Sequence, residues 1–182
     1  IDVGSGSDEV YGSLGNDSLI GGDNPSSSLP DGLNYSVFGG SAGITIDIAS
    51  ATVTGDGFID HFSGFEVVVG STFGDTIIGD GSVSRLYGGD GADTIIVSSG
   101  DNTVAGSSGD DTLIGGAGTN TLDGGAGDDL LIGGAGDETF VGGAGNDTVD
   151  YGNAAGGISL TLGAGGTAVV TAAGHGTDTL TQ

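Results

Sequence analysis

A nine-residue period governs this chain. It runs without a gap over residues 70–150, in frames that begin at Gly70, Gly79, Gly88, Val97, Gly106, Gly115, Gly124, Gly133 and Gly142. The most regular copies read GGAGDDLLI from Gly124 and GGAGNDTVD from Gly142. A unit this short cannot bury its own apolar side chain, so copies must stack on one another to make a core. A shorter array occupies residues 1–22, as VGSGSDEVY from Val3 and GSLGNDSLI from Gly12. A third copy opens at Gly21 and gives way to DNPSSSLPDG, which holds both prolines. Residues 23–33 therefore read as a linker loop.

Each position of the frame has a physical task. Glycines at positions 1, 2 and 4 let the backbone turn through positive φ. Positions 7 to 9 make a very short strand. Position 8 is apolar in every frame of the long array: Ile77, Leu86, Ile95, Val104, Leu113, Leu122, Leu131, Phe140 and Val149. It must point inward, and positions 7 and 9 then point outward by strand alternation. A flexible glycine–serine linker would not keep such a residue at every ninth place. Two frames complete one coil. The predicted fold is all-β, a parallel β-roll, or two-sheet solenoid, with coils about 4.8 Å apart. Irregular β interruption modules at residues 34–69 and 151–182 separate or follow the arrays, the second of them truncated.

Position 6 alternates with the period of a full coil. One edge of the roll carries Asp75, Asp93, Asp111, Asp129 and Asp147, and the other carries Ser84, Asn102, Asn120 and Glu138. Carboxylates about 5 Å apart repel by about 1 kcal/mol in bulk water and about 3 kcal/mol at an effective dielectric near 20. Calcium, which takes oxygen ligands and favours carboxylates, turns that repulsion into attraction. Each neighbouring aspartate pair is thus a candidate site for one ion, and folding should depend on the ions. The Asn102 and Asn120 edge can close by amide hydrogen bonds, or hold ions with charge from Asp101, Asp137 and Glu138. Asp8 and Asp17 fall in successive frames, hence on opposite edges. Each needs a partner from the following coil, which the segment at Pro25 interrupts and Asp23 could replace.

Composition narrows the function. Acidic residues number 25 against one basic residue, Arg85, for a net charge of −24. That disfavours nucleic acid and anionic membranes as partners. No stretch is long and apolar enough to insert in a membrane as a helix. Cysteine is absent, so ions rather than disulfides are the available cross-links. The two histidines, His61 and His175, lie outside the arrays, and neither has a cysteine or a second histidine near it in sequence, which disfavours zinc ligation. His61 follows Asp60, but adjacent strand residues face opposite sides. No G-x-S-x-G elbow is present, and a P-loop would need a lysine. The expectation is a chain without catalytic activity. It opens at Ile1 within a repeat, which predicts a fragment or processed product of something longer.

These frames resemble the repeats-in-toxin family, whose signature is GGxGxDxUx with U a large apolar residue. The resemblance implies a calcium-binding parallel β-roll. Several ions would sit in turns between one repeat and the repeat two further on. Their ligands would be the position-6 aspartates and turn carbonyls such as those of Gly88, Gly106, Gly124 and Gly142. It also implies a secreted or cell-surface bacterial protein exported by type I secretion. Residues 34–69 and 151–182 resemble a module that interrupts such arrays. Both open with a tyrosine, Tyr35 or Tyr151, and continue with an alternating strand, at Ile44, Ile46 and Ile48 or Ile158, Leu160 and Leu162. Three roles remain open. The preferred one is a structural module of a surface layer, adhesin or self-assembling filament. The others are a calcium-dependent secretion and folding appendage of a secreted enzyme or toxin, and a glycan-binding module. Self-association end to end is expected. Ile78, Ile96, Ile114 and Ile132 form an outer stripe for lateral contact, unless the interruption modules cover it or it stays solvated.

Overall fold

The computed structural model describes residues 1–22, 30–82, 85–151, 158–162, 168–172 and 176–181, with side chains described up to Tyr151 and at Thr179. In chain order the strands are β1 (Glu9–Tyr11), β2 (Ser18–Ile20), β3 (Gly32–Asn34), β4 (Thr45–Asp47), β5 (Thr52–Gly55), β6 (Phe58–Ser63) and β7 (Val67–Val69). The long array supplies β8 (Thr76–Gly79), β9 (Arg85–Asp90), β10 (Thr94–Val97), β11 (Thr103–Ser108), β12 (Thr112–Ile114), β13 (Thr121–Ala126), β14 (Leu130–Ile132), β15 (Thr139–Ala144) and β16 (Thr148–Asp150). After it come β17 (Ile158–Leu162), β18 (Ala168–Ala172) and β19 (Gly176–Thr181). No helix occurs among the described residues.

The strands form a parallel β-roll of two sheets. One sheet runs β1-β3-β7-β9-β11-β13-β15-β19-β18-β17 and the other β16-β14-β12-β10-β8-β4-β5-β6-β2. Neighbouring strands of the long array are parallel and offset by one full coil, as in Ile95 beside Leu113 on one sheet and Val104 beside Leu122 on the other. Position 8 therefore stacks on itself down both sheets. Ile77, Leu86, Ile95, Leu113, Leu122 and Leu131 are fully buried, and Val104 and Phe140 nearly so. Val97 departs from the glycine expected at its place. Its buried side chain rests beside Gly79, whose missing Cβ leaves the room.

The first interruption module does not sit outside the roll. Its strands become part of both sheets. β3 and β7 fill the places between β1 and β9, while β4 pairs parallel with β8 and β6 pairs parallel with β2. β5 joins β4 to β6 antiparallel. Gly32–Asn34 is thus a strand with Leu33 fully buried, although it falls at the end of the segment read from sequence as a loop. The three residues are too short to show alternation, and Pro30 beside them signals a turn. Aromatic rings fill the module's core. Tyr35, Phe38 and Phe58 are buried in contact, with centroids 6.2 Å and 5.4 Å apart. Gly12 makes space for the Tyr35 ring: a Cβ there would lie 2.0 Å from it.

The strands after residue 151 repeat this topology. β17, β18 and β19 are antiparallel in succession, and β19 docks parallel on β15 as β6 docks on β2. In neither module do the described strands lie across the isoleucine stripe; they extend the sheets instead. Ile78, Ile96, Ile114 and Ile132 stand in register on adjacent strands, each half-buried.

Candidate metal centre

The turn that precedes each strand places position 6 at the sheet edge with its main-chain N–H aimed along the stack. The next coil's aspartate accepts it. Asp75 N–H donates to Asp93 Oδ1 at 2.7 Å, Asp93 to Asp111 at 2.7 Å, Asp111 to Asp129 at 2.9 Å and Asp129 to Asp147 at 3.1 Å. Asp75, Asp93, Asp111 and Asp129 are buried, and Asp147 is half-buried. The hydrogen bond uses one oxygen of each carboxylate. The other, Oδ2 of Asp93, Asp111 and Asp129, is buried without a hydrogen-bond partner. Leaving a buried acceptor unsatisfied costs about 1–3 kcal/mol, and more when it is charged. Burial accordingly pushes the Asp93 carboxyl up to about 7 and that of Asp111 to about 6, with repulsion from neighbouring carboxylates adding to both. Burial also raises Asp75 and Asp129.

Position 1 of the frame explains where the unpaired oxygen goes. A Cβ on Gly88, Gly106, Gly124 or Gly142 would lie 2.1, 2.1, 2.3 or 2.3 Å from Oδ2 of Asp93, Asp111, Asp129 or Asp147. On Gly88, Gly106 and Gly124 it would also come within 2.8, 2.7 and 2.7 Å of the next coil's carbonyl, from Gly106, Gly124 and Gly142. The bare glycine face is thus where a carboxylate oxygen and a peptide oxygen converge. Oxygen-only donors with surplus negative charge fit a hard cation such as calcium. Among the described residues, no three His, Asp or Glu side chains gather as a self-sufficient metal cluster. Carboxylates are instead distributed one per coil, so turn carbonyls and water must make up the remainder of six to eight ligands.

Two aspartates at the same edge are different. Both oxygens of Asp75 are engaged: Ile44 N–H and Ser71 Oγ–H donate to Oδ1, and Ser71 N–H donates to Oδ2. Asp60, on β6, is fully buried and accepts Asp17 N–H at 2.8 Å through Oδ1 and Tyr35 O–H at 2.5 Å through Oδ2. The partner that Asp17 needs from the following coil is thus Asp60, and for Asp8 it is Asp31. Asp8 N–H donates to Asp31 Oδ1 at 2.8 Å, and Asp31 N–H to Glu66 Oε2 at 2.8 Å. Asp23 lies outside the described residues. Asp31, Asp60 and Glu66 do not follow nonapeptide spacing. Their only signal is an acidic residue immediately before, or within, a short apolar strand.

Along the remainder of that second edge, Ser84 lies outside the described residues. Asn102 and Asn120 are buried and form an amide ladder, in which Oδ1 of Asn120 accepts both the main-chain N–H and the Nδ2–H of Asn102, at 3.1 and 3.0 Å. Asn102 Nδ2 also donates to the turn carbonyls of Ser99 and Gly100 at 3.0 and 2.8 Å. Those peptide oxygens are engaged by an amide where the aspartate edge leaves a carboxylate oxygen unpaired. Glu138 is buried at the next coil. Further bonds at position 5, not anticipated, run along the exposed rims of both edges in the opposite direction. On the asparagine edge Thr119 N–H donates to Asp101 Oδ1, and on the aspartate edge Asp128 N–H donates to Asp110 Oδ1 and Asn146 N–H to Asp128 Oδ1, at 2.8, 2.9 and 2.9 Å.

No curated protein matches the chain closely enough to carry an argument. A family model does match, that of the RTX calcium-binding nonapeptide repeat in four copies. It covers residues 1–24 and, in overlapping matches, 62–95, 69–104, 87–122, 96–131 and 114–149. These matches span more than half of the sequence and include every aspartate of the long ladder. With its parallel two-sheet coils and buried, unpaired carboxylate oxygens, the chain belongs to the RTX calcium-binding nonapeptide repeat family.

Proposed function

We propose that this chain is a calcium-stabilised structural segment of a secreted bacterial protein, part of a surface layer, adhesin or filament, with no catalytic role of its own. The observation that carries this reading is the fate of the non-repeat residues. In a binding or catalytic appendage, an insertion between arrays would be expected to form a separate body with its own cleft. Here β3 to β7 continue the same two sheets, so the insertion lengthens the rod. Ions between the paired aspartates, several per chain, would harden the rod and offset its charge of −24. Sheets of this kind propagate through main-chain hydrogen bonds, and a head-to-tail contact builds an open filament rather than a closed ring. The test is light scattering and electron microscopy of the complete mature protein. Calcium-dependent end-to-end assemblies are expected at millimolar calcium and none in chelator. A monodisperse monomer at high protein concentration with calcium would overturn the assembly and favour a secretion and folding appendage.

A further inference from the structure

We infer that Asp8 and Asp31 hold a calcium ion of their own, on the edge opposite the aspartate ladder, where it ties the first array to the inserted module. This rests on the calcium-binding character of the repeats, but its principal residue lies outside them: the family matches stop at residue 24 and resume at 62. Asp31 is 0% exposed. Its Oδ1 accepts Asp8 N–H, and its Oδ2 is buried with no hydrogen-bond partner. Asp8 Oδ2 is in the same state. β1 and β3 pair with Glu9 beside Gly32, so the two carboxylates that precede these residues stand one strand spacing apart, about 4.8 Å.

Two unpaired carboxylate oxygens in neighbouring strands repel, and among the described residues no basic side chain pairs with them. The single basic side chain, Arg85, is on β9, beyond β7 in the same sheet. The donors nearby are oxygens. Ser7 Oγ–H donates to the Pro30 carbonyl at 3.0 Å, and Glu66, one coil further on, accepts Asp31 N–H. A cleft lined by Ser7, Asp8, Glu9, Pro30, Gly32 and Val67 opens beside Asp8, giving an ion and its waters a way in. Two carboxylates, a hydroxyl, a carbonyl and water make an oxygen set suited to calcium. The ion would close a chain separation of 23 residues, between Asp8 and Asp31, and so fix β3 in the sheet.

The experiment uses calcium alone, titrated calorimetrically into the ion-free chain, with bound calcium counted by equilibrium dialysis. Asp31→Asn keeps an oxygen for the Asp8 N–H but removes the charge. It should bind one ion fewer than the parent while matching its circular dichroism at saturating calcium. Asp8→Asn, at a half-exposed position, should lose the same ion and is decisive should Asp31→Asn fail to reach the parent spectrum. An unchanged count in the folded variant overturns the site and leaves the family's calcium binding intact. A parent that binds no calcium overturns both.

Discussion

Asp60 and Asp93 occupy the same place in their coils, and the protein completes them in different ways. Each presents Oδ1 to the main-chain N–H of the coil before it. At Asp60 the second oxygen receives the Tyr35 hydroxyl. At Asp93, and again at Asp111 and Asp129, it receives no hydrogen bond from the described residues. Asp75, where the long array begins, sides with Asp60 because Ser71 supplies the donors. The inserted module is therefore self-sufficient in polar contacts at this edge, while the array beyond it is built to be finished by something positive. A buried carboxylate can be satisfied by a donor that the fold must carry, or by an ion that the surroundings must supply. Only the second makes folding conditional on the surroundings.

Removing calcium should expose this difference with the largest effect. In excess chelator at pH 7.5, amide protection at Ile95, Leu113 and Leu131 should fall at least about tenfold further than at Ile46 and Val53, as read by hydrogen exchange. Equal losses in the two regions would break the comparison. Acid should partly replace calcium. The ordinary carboxyl value is 3.8, and in the ion-free roll Asp93 is raised to about 7 and Asp111 to about 6. Groups raised on folding favour the folded state most below their unfolded pKa, and that contribution is lost as pH rises through the folded value. The chelated array should therefore be more ordered at pH 5 than at pH 7.5, while calcium affinity moves the other way because protons compete for the same oxygens.

Substitution on the two edges should give a smaller effect. Asp111 serves two neighbouring coils, so Asp111→Asn removes one charged ligand from both. At about 1.5–3 kcal/mol for a charge-assisted contact, calcium binding there should weaken about ten- to a hundredfold. Asn120→Ala should cost calcium affinity less, since the Asn102 amide already engages the nearby carbonyls, although stability should drop with the lost ladder. Calorimetric titration of both variants separates the cases. Equal losses of bound calcium would mean that the alternation at position 6 does not divide the edges.

That alternation is legible in the sequence because a nine-residue turn repeats its chemistry at fixed spacing. Position 8 marks the core and position 6 the edge from spacing alone. The module between the arrays is not legible in the same way. Leu33, Ile46 and Val68 enter the same core, but unequal connections separate them, so no period links them. Asp31 and Asp60 escape a sequence reading for that reason: they take the place of a position-6 residue in space, without its spacing in sequence. The position-5 bonds of Asp101 on one rim and of Asp110 and Asp128 on the other escape it because position 5 varies in identity, and what repeats there is a main-chain donor, which sequence does not display.

The smallest expected change tests the Tyr35 side of the comparison. Tyr35→Phe keeps the ring that packs against Phe38 and over Gly12, and deletes only the hydroxyl. Asp60 Oδ2 is then left like that of Asp93, buried beside apolar rings without a donor. Thermal or denaturant unfolding in chelator should show a loss of about 1–3 kcal/mol, the cost of a buried polar atom stripped of its partner. The informative measurement is the same variant with calcium. Where the hydroxyl has no ionic substitute, the loss persists at saturating calcium and the number of bound ions is unchanged. Recovery of stability together with one added ion would show that the Asp60 coil can take calcium once Tyr35 steps aside. The division would then lie in a single hydroxyl and not in the architecture of the inserted module.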